Sequence, residues 1–281
     1  MTGISWEDAV RWYRNQPDND LAIRQNYFDL PVRRAAARYA DGEEFAEIRR
    51  LLGPGAGRAV LDLGAGQGVS AYALARDGWR VTALEPDPSG EVGAGAIRGL
   101  QAETGLPIEV VQEWGERLPF ADAVFDCVHG RQVLHHANDL GRMVAEVFRV
   151  LKPGGHALFT REHVVDDARQ LAVFLKNHPL QHLYGGEHAY PEAAYLATFE
   201  KAGFALSDCW GPFDTVINFY PGTEAERLRR IEDRLNRRWF GLGRWLRRGP
   251  ADRARCMAAW RRDFRVPGRL YTFWMVKPCA S

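Results

Sequence analysis

The sequence predicts an α/β protein built on a doubly wound, mostly parallel sheet. Three observations carry that prediction. Short apolar runs alternate with helical stretches between about residues 58 and 161, and a glycine-rich turn follows the first run directly. The chain is also large enough for a full core, with 281 residues of which 46% are hydrophobic and 26% charged. Strands separated by helices imply right-handed crossovers. This composition excludes disordered, collagen-like and disulfide-scaffold classes.

Taken in order, residues 5–52 read as an Arg-rich helical lead-in, with Ser5 as cap before Trp6-Glu7-Asp8. The first strand is Arg58 to Leu63, a near-continuous apolar run suited to a sheet covered on both faces. Helices are predicted over 68–77, 91–103 and 138–151, and strands over 80–85, 108–111, 124–129 and 156–161. Past Arg161 the rhythm loosens. A short helix at 167–177, a helix at 191–202, a strand at 204–209 and a last apolar strand at 270–276 remain, with a helical insertion from 223 to 265 between the final two strands.

The strongest local signal is Asp62-Leu63-Gly64-Ala65-Gly66-Gln67-Gly68, placed between a strand and a helix. Glycines let the backbone turn sharply and approach a ligand, and the helix behind them offers unpaired N–H groups. Glu85 stands twenty-three positions after Asp62, at the end of the second strand, where an acid can accept hydrogen bonds from a ribose. The dinucleotide fingerprint G-x-G-x-x-G fails, because Val69 occupies its third glycine position.

The spacing G-x-G-x-G after an acid in the strand resembles motif I of class I S-adenosylmethionine-dependent methyltransferases. Three further stretches extend the likeness in order: Ala83-Leu84-Glu85-Pro86-Asp87, Glu116-Arg117-Leu118-Pro119-Phe120 with Val124-Phe125-Asp126, and Arg149-Val150-Leu151-Lys152-Pro153-Gly154-Gly155. The resemblance implies a Rossmann-like sheet of seven strands, S-adenosyl-L-methionine as cofactor, S-adenosyl-L-homocysteine as product and methyl transfer as activity. It implies a cofactor shell of Asp62, Gly64, Ala65, Gly66, Glu85, Pro86, Trp114, Gly115, Glu116 and Arg131. One departure stands out. Many relatives carry an Asp four residues before the Leu of Leu-Pro-Phe, where this chain has Trp114, flanked by Glu113 and Glu116. Trp114 either lies against the purine or packs in the core.

Methyl transfer from a sulfonium is an in-line displacement that depends mainly on alignment and exclusion of water. An alcohol acceptor gains from a base, whereas an amine needs only to arrive unprotonated. All eight histidines fall between His129 and His188. Ligands of open α/β sheets bind outside the carboxyl ends of the strands, which points to His135 and His136 after strand four and His163 after strand five as candidate bases. A histidine placed before the Ala-Asn-Asp turn sometimes lines the acceptor pocket in relatives, which favours His136. Structural histidines are the competing reading. No H-E-x-x-H or comparable spacing is present, so no metal is expected. Tyr184-Gly185-Gly186-Glu187-His188 suits a lid or an ordinary turn. Tyr27-Phe28-Asp29 resembles the aromatic lead-in that covers the cofactor in many small-molecule relatives.

The charge is segregated. Fourteen arginines against six acids give residues 223–265 a formal +8 in a chain of net +1, leaving −7 elsewhere. That segment (Arg227 to Arg265) reads as a helix docked by an apolar stripe, or as a surface for an anionic acceptor or acidic lipid headgroups. A nucleic-acid target is the weaker expectation. The acidic N-terminus, the lack of a long apolar run and four scattered cysteines point to a reducing cytoplasm. Three functions are carried forward. The first is O-methylation of a small or medium-sized acceptor such as a sugar, glycan or natural product. The second is N-methylation, or methylation of RNA or protein docked through the arginines. The third is a cofactor-binding partner subunit without turnover.

Overall fold

The computed structural model describes residues 4–222 and 264–279, together with 226, 229 and 233. Four helices lead in: α1 (Trp6–Arg14), α2 (Asp20–Gln25), α3 (Val32–Ala40) and α4 (Glu43–Leu52). The Ser5 hydroxyl accepts the Asp8 amide hydrogen at 3.1 Å and so caps α1 as predicted. The alternating part then gives β1 (Ala59–Leu63), α5 (Val69–Arg76), β2 (Arg80–Leu84), α6 (Ala94–Thr104), β3 (Ile108–Val111), β4 (Phe125–Arg131), α7 (Leu140–Val150) and β5 (Leu151–Val164). It continues through α8 (Ala168–Asn177), α9 (Glu192–Ala202), β6 (Ala205–Trp210), α10 (Val216–Phe219) and β7 (Arg269–Val276).

The seven strands lie in the order β3-β2-β1-β4-β5-β7-β6. The first five are parallel, and β7 runs antiparallel between β5 and β6. From β1 the chain steps outward to β2 and β3, then returns to place β4 on the other side of β1. Strand order therefore reverses between β1 and β4, and the crevice at their carboxyl ends is the position where such sheets hold ligands.

The alternation of side chains along the strands divides the core into two layers. Val60, Val81, Ala83, Cys127 and Leu158 pack against α3, α4, α5 and α6 on one face. Leu61, Leu63, Val128, Ala157 and Phe159 pack against α7 and α9 on the other. The lead-in is part of this core: Tyr39, Phe45, Ile48 and Leu52 share the first layer with β1.

Three features differ from the sequence expectation. β5 begins at Leu151, because the chain turns out of α7 straight into pairing with Phe125, and the following glycines bond to Lys277. His135 and His136 lie in a separate 3-10 turn, Leu134–His136, before α7. The short helix α10 had no periodic signal over its four residues. The Arg-rich insertion lies outside the described residues, apart from Glu226, Arg229, Asp233, Phe264 and Arg265. Among the described residues no helix is long and apolar enough to cross a membrane.

Candidate active site

The glycine turn leaves β1 with positive φ at Gly64 (64°), Gly66 (54°) and Gly68 (89°). The first two glycines serve different ends. A Cβ on Gly64 would come within 2.4 Å of Val133 Cγ2, so that glycine is fixed by packing as well as by φ. A Cβ on Gly66 would meet nothing nearer than the Val92 carbonyl oxygen at 3.9 Å, so the backbone there is open to a ligand. Gly68 ends the turn as the left-handed cap of α5.

Glu85 closes the opposite side. Its Oε2 accepts the Gly66 amide hydrogen at 2.7 Å and its Oε1 that of Asp87 at 3.0 Å. A carboxylate has about four acceptor sites, so two remain for ribose hydroxyls. Burial pushes the Glu85 carboxyl up to about 7, against the opposing effect of those two amides, with Asp87 and Asp62 adding to the rise. Asp62 is buried beneath the turn, with Oδ1 3.0 Å from His129 Nδ1. Asp62 Oδ2 and His129 Nε2 have no hydrogen-bond partner. Open backbone at Gly66, a buried acid with spare acceptor sites and an unpartnered Asp62 oxygen below the turn fit S-adenosylmethionine, with its ribose at the acid.

Ala65 is buried in the turn itself and Pro86 directly follows Glu85. In the loop after β3, Trp114 is 55% exposed, which excludes core packing and leaves its ring available to a ligand. Gly115 is buried, and a Cβ there would meet Met143 Cε at 2.8 Å. Glu116 Oε1 accepts the amides of Asn138 at 2.8 Å and Asp139 at 3.4 Å, tying this loop to the start of α7.

Arg131 ends β4 with its guanidinium bound to protein groups. Its Nε donates to Glu44 Oε1 at 2.7 Å, and its other nitrogens reach Gln132 and the Gln25 carbonyl oxygen. It also stacks over Tyr27, 5.2 Å from the ring centroid. Tyr27 is wholly buried. Its hydroxyl lies 3.3 Å from Glu44 and its carbonyl accepts a hydrogen bond from Gln67 of the glycine turn, while Phe28 packs against Trp6. The aromatic lead-in therefore clamps the turn through its backbone. Trp6 in turn lies 5.4 Å from Tyr184, which joins α1 to the loop carrying Gly185 and Gly186.

The third group gathers at the ends of β4 and β5. Glu162, fully buried, accepts the amides of Val133 (2.9 Å), Leu134 (3.1 Å) and His135 (3.3 Å), and His135 Nδ1 at 2.7 Å. Four donors on one carboxylate fix the 3-10 turn and set the His135 tautomer, leaving its Nε2 as an acceptor. The His136 ring lies 4.2 Å from that of His135, with Nδ1 3.4 Å from the Gly186 carbonyl oxygen. His163 Nδ1 donates to the Gly268 carbonyl oxygen at 2.8 Å, and its ring stands 4.7 Å from His135. Burial holds the pKa of His135 and His163 well below the imidazole value, and desolvation against the turn lowers that of His136 although that residue as a whole is exposed, so all three are neutral near pH 7.

A family profile described as a methyltransferase domain matches residues 61–159, which run from β1 through β5. The dimethylglycine N-methyltransferase of Parasynechococcus marenigrum is 30% identical over 207 residues, covering 70% of this chain and 72% of that protein. The chain belongs to the class I S-adenosylmethionine-dependent methyltransferases. A ubiquinone biosynthesis O-methyltransferase of Paramagnetospirillum magneticum is 28% identical over 205 residues, 67% of this methyltransferase and 81% of that one. In fold it is similar to phosphoethanolamine N-methyltransferase 2 of Haemonchus contortus, solved with phosphomonomethylethanolamine and S-adenosylhomocysteine. The TM-score is 0.57 at 17% identity, covering 100% of this chain and 62% of that one.

Two groups of this methyltransferase escaped the sequence reading. Glu162 anchors the turn before α7; the signal available was an acid shortly after the apolar run Ala157-Leu158-Phe159, toward the carboxyl end of a strand. Glu187 and His178 reach the histidines only through the fold of the 178–188 segment.

Proposed function

We propose that this enzyme transfers the methyl group of S-adenosylmethionine to a hydroxyl of a small-molecule acceptor seated beside His135 and His136, with S-adenosylhomocysteine as product. The observation that carries this reading is the cluster of neutral imidazoles at the ends of β4 and β5, beyond the glycine turn. S-adenosylmethionine supplies an electrophilic methyl carbon on a sulfonium. In this reading Gly64, Ala65 and Gly66 bring backbone close to the cofactor, Glu85 and Pro86 border its ribose, and Trp114 and Gly115 border its adenine. Glu116 and Arg131 hold the walls, one through the start of α7 and the other through Glu44. His136 takes the acceptor proton as the oxygen attacks, since its Nε2 keeps a lone pair.

The +8 of residues 223–265 favours an acceptor that carries negative charge. N-methylation of a small amino acid is the second reading, favoured by the relative named a dimethylglycine N-methyltransferase. The scattered cysteines support a cytoplasmic setting.

His136→Ala tests the role of the base. With a hydroxyl acceptor found by screening, its turnover falls by roughly 10²–10⁴-fold. S-adenosylhomocysteine affinity stays within about threefold, because the ring lies outside the cofactor shell. Undiminished turnover in this variant removes the base from the mechanism, and a dimethylglycine-like amine as the sole acceptor moves the chemistry to nitrogen.

A further inference from the structure

Beside the 3-10 turn, ligand atoms of His135, His136 and Glu187 all lie within 4.8 Å of one another. Glu187 is 7% exposed, and its Oε2 has no hydrogen-bond partner. That oxygen lies 3.8 Å from His135 Nε2. Because His135 Nδ1 donates to Glu162, the nitrogen facing Glu187 carries a lone pair. Two buried acceptors therefore face each other, and a cation between them satisfies both. On the other side, His178 Nδ1 lies 3.6 Å from Glu187 Oε1 and is likewise unpartnered. Among the described residues, the ion-pair partners of Glu162 and Glu187 are all histidines, so no lysine or arginine balances the two acids there.

We infer that His135, His136 and Glu187 bind one divalent metal ion of the zinc class, with Glu162 orienting His135 from behind. Two histidines, a carboxylate and an open fourth position are the donor set of catalytic zinc sites. A carboxylate behind a ligating histidine is the usual outer partner, fixing tautomer and ring orientation. Zinc–donor distances of about 2.0–2.2 Å require tetrahedral donors roughly 3.4 Å apart, so the trio closes on the ion by small side-chain rotations. No metal spacing is visible along the chain, since two ligands are adjacent and the third stands about fifty positions on. The fold alone assembles them. When the ion is bound, His136 is a ligand and not the base, and an acceptor hydroxyl at the open position gives its proton to solvent under the metal's charge; that assignment rests on the reading above, whereas metal binding itself does not.

The test uses tag-free, full-length protein stripped with a chelator, desalted and titrated with Zn²⁺ against a chromophoric competitor. The site predicts one Zn²⁺ per chain. Glu187→Gln weakens it by roughly 100-fold or more, and Glu162→Gln by roughly 10–100-fold. His182→Ala, at an exposed ring whose Nε2 meets the Lys176 carbonyl oxygen, leaves it unchanged. S-adenosylhomocysteine titration of the same samples reports separately on folding and on the cofactor site. Absence of stoichiometric Zn²⁺ binding, or equal affinity in the native protein and Glu187→Gln, overturns the inference even where cofactor binding is intact.

Discussion

Replacing Glu85 with alanine weakens S-adenosylmethionine binding by roughly two to three orders of magnitude. A hydrogen bond to a charged group contributes about 1.5–3 kcal/mol, and 1.4 kcal/mol is a factor of ten. The variant loses the acceptor that we propose for two ribose hydroxyls and also the acceptor that holds the Gly66 and Asp87 amides. The glycine turn is loosened at the point where its backbone meets the ligand. A pH series adds the sign. Glu85 is held up to about 7 by burial, with Asp87 and Asp62 close by. Hydroxyl donors favour the ionised form, so binding releases a proton where Glu85 is still protonated. Affinity therefore rises as pH increases through about 7 and levels off above it. Glu85→Gln loses affinity and flattens this profile. Calorimetry at pH values on both sides of 7 checks both effects, and native-like affinity in Glu85→Ala would falsify the ribose assignment.

Glu162→Ala costs about 3–5 kcal/mol of stability, the range expected when one member of a buried charged network is removed. Its carboxylate accepts three consecutive amides and the His135 ring, and none of these donors has access to bulk water. Deleting the acceptor leaves them unsatisfied in the interior, where each costs about 1–3 kcal/mol without simple additivity. Burial also pushes the Glu162 carboxyl above the ordinary range, so part of the loss is returned as relief of its own desolvation. Urea unfolding at pH 7 measures the difference. A loss under about 1 kcal/mol means the turn before α7 is held by packing of Val133 and Leu134 instead.

The parallel half of the fold was legible because each strand there is a short apolar run and each helix has its own period. Glycine, with its distinct backbone freedom, marked the turn between β1 and α5, and an acid at the end of β2 completed that signal. The antiparallel half was less so. β7 reads as a strand, but its insertion between β5 and β6 depends on pairing with β5 across more than a hundred residues of chain and with β6 across more than sixty, which no local pattern encodes. The same limit applied to the site. His135 and His136 were visible as candidates, whereas the carboxylates that orient or face them come from β5 and from the loop after α8. Arg131 was expected in the cofactor shell, and its ion pair with Glu44 joins elements 87 positions apart. Trp114 kept its two readings until its exposure decided against the core.

The central claim is that the crevice between the glycine turn, Glu85 and the histidines binds S-adenosylmethionine for methyl transfer. Calorimetric titration of the native full-length protein with S-adenosylhomocysteine tests it most directly. The account predicts one site per chain with a dissociation constant on the order of micromolar, about −8 kcal/mol. A folded sample that takes up no S-adenosylhomocysteine contradicts it.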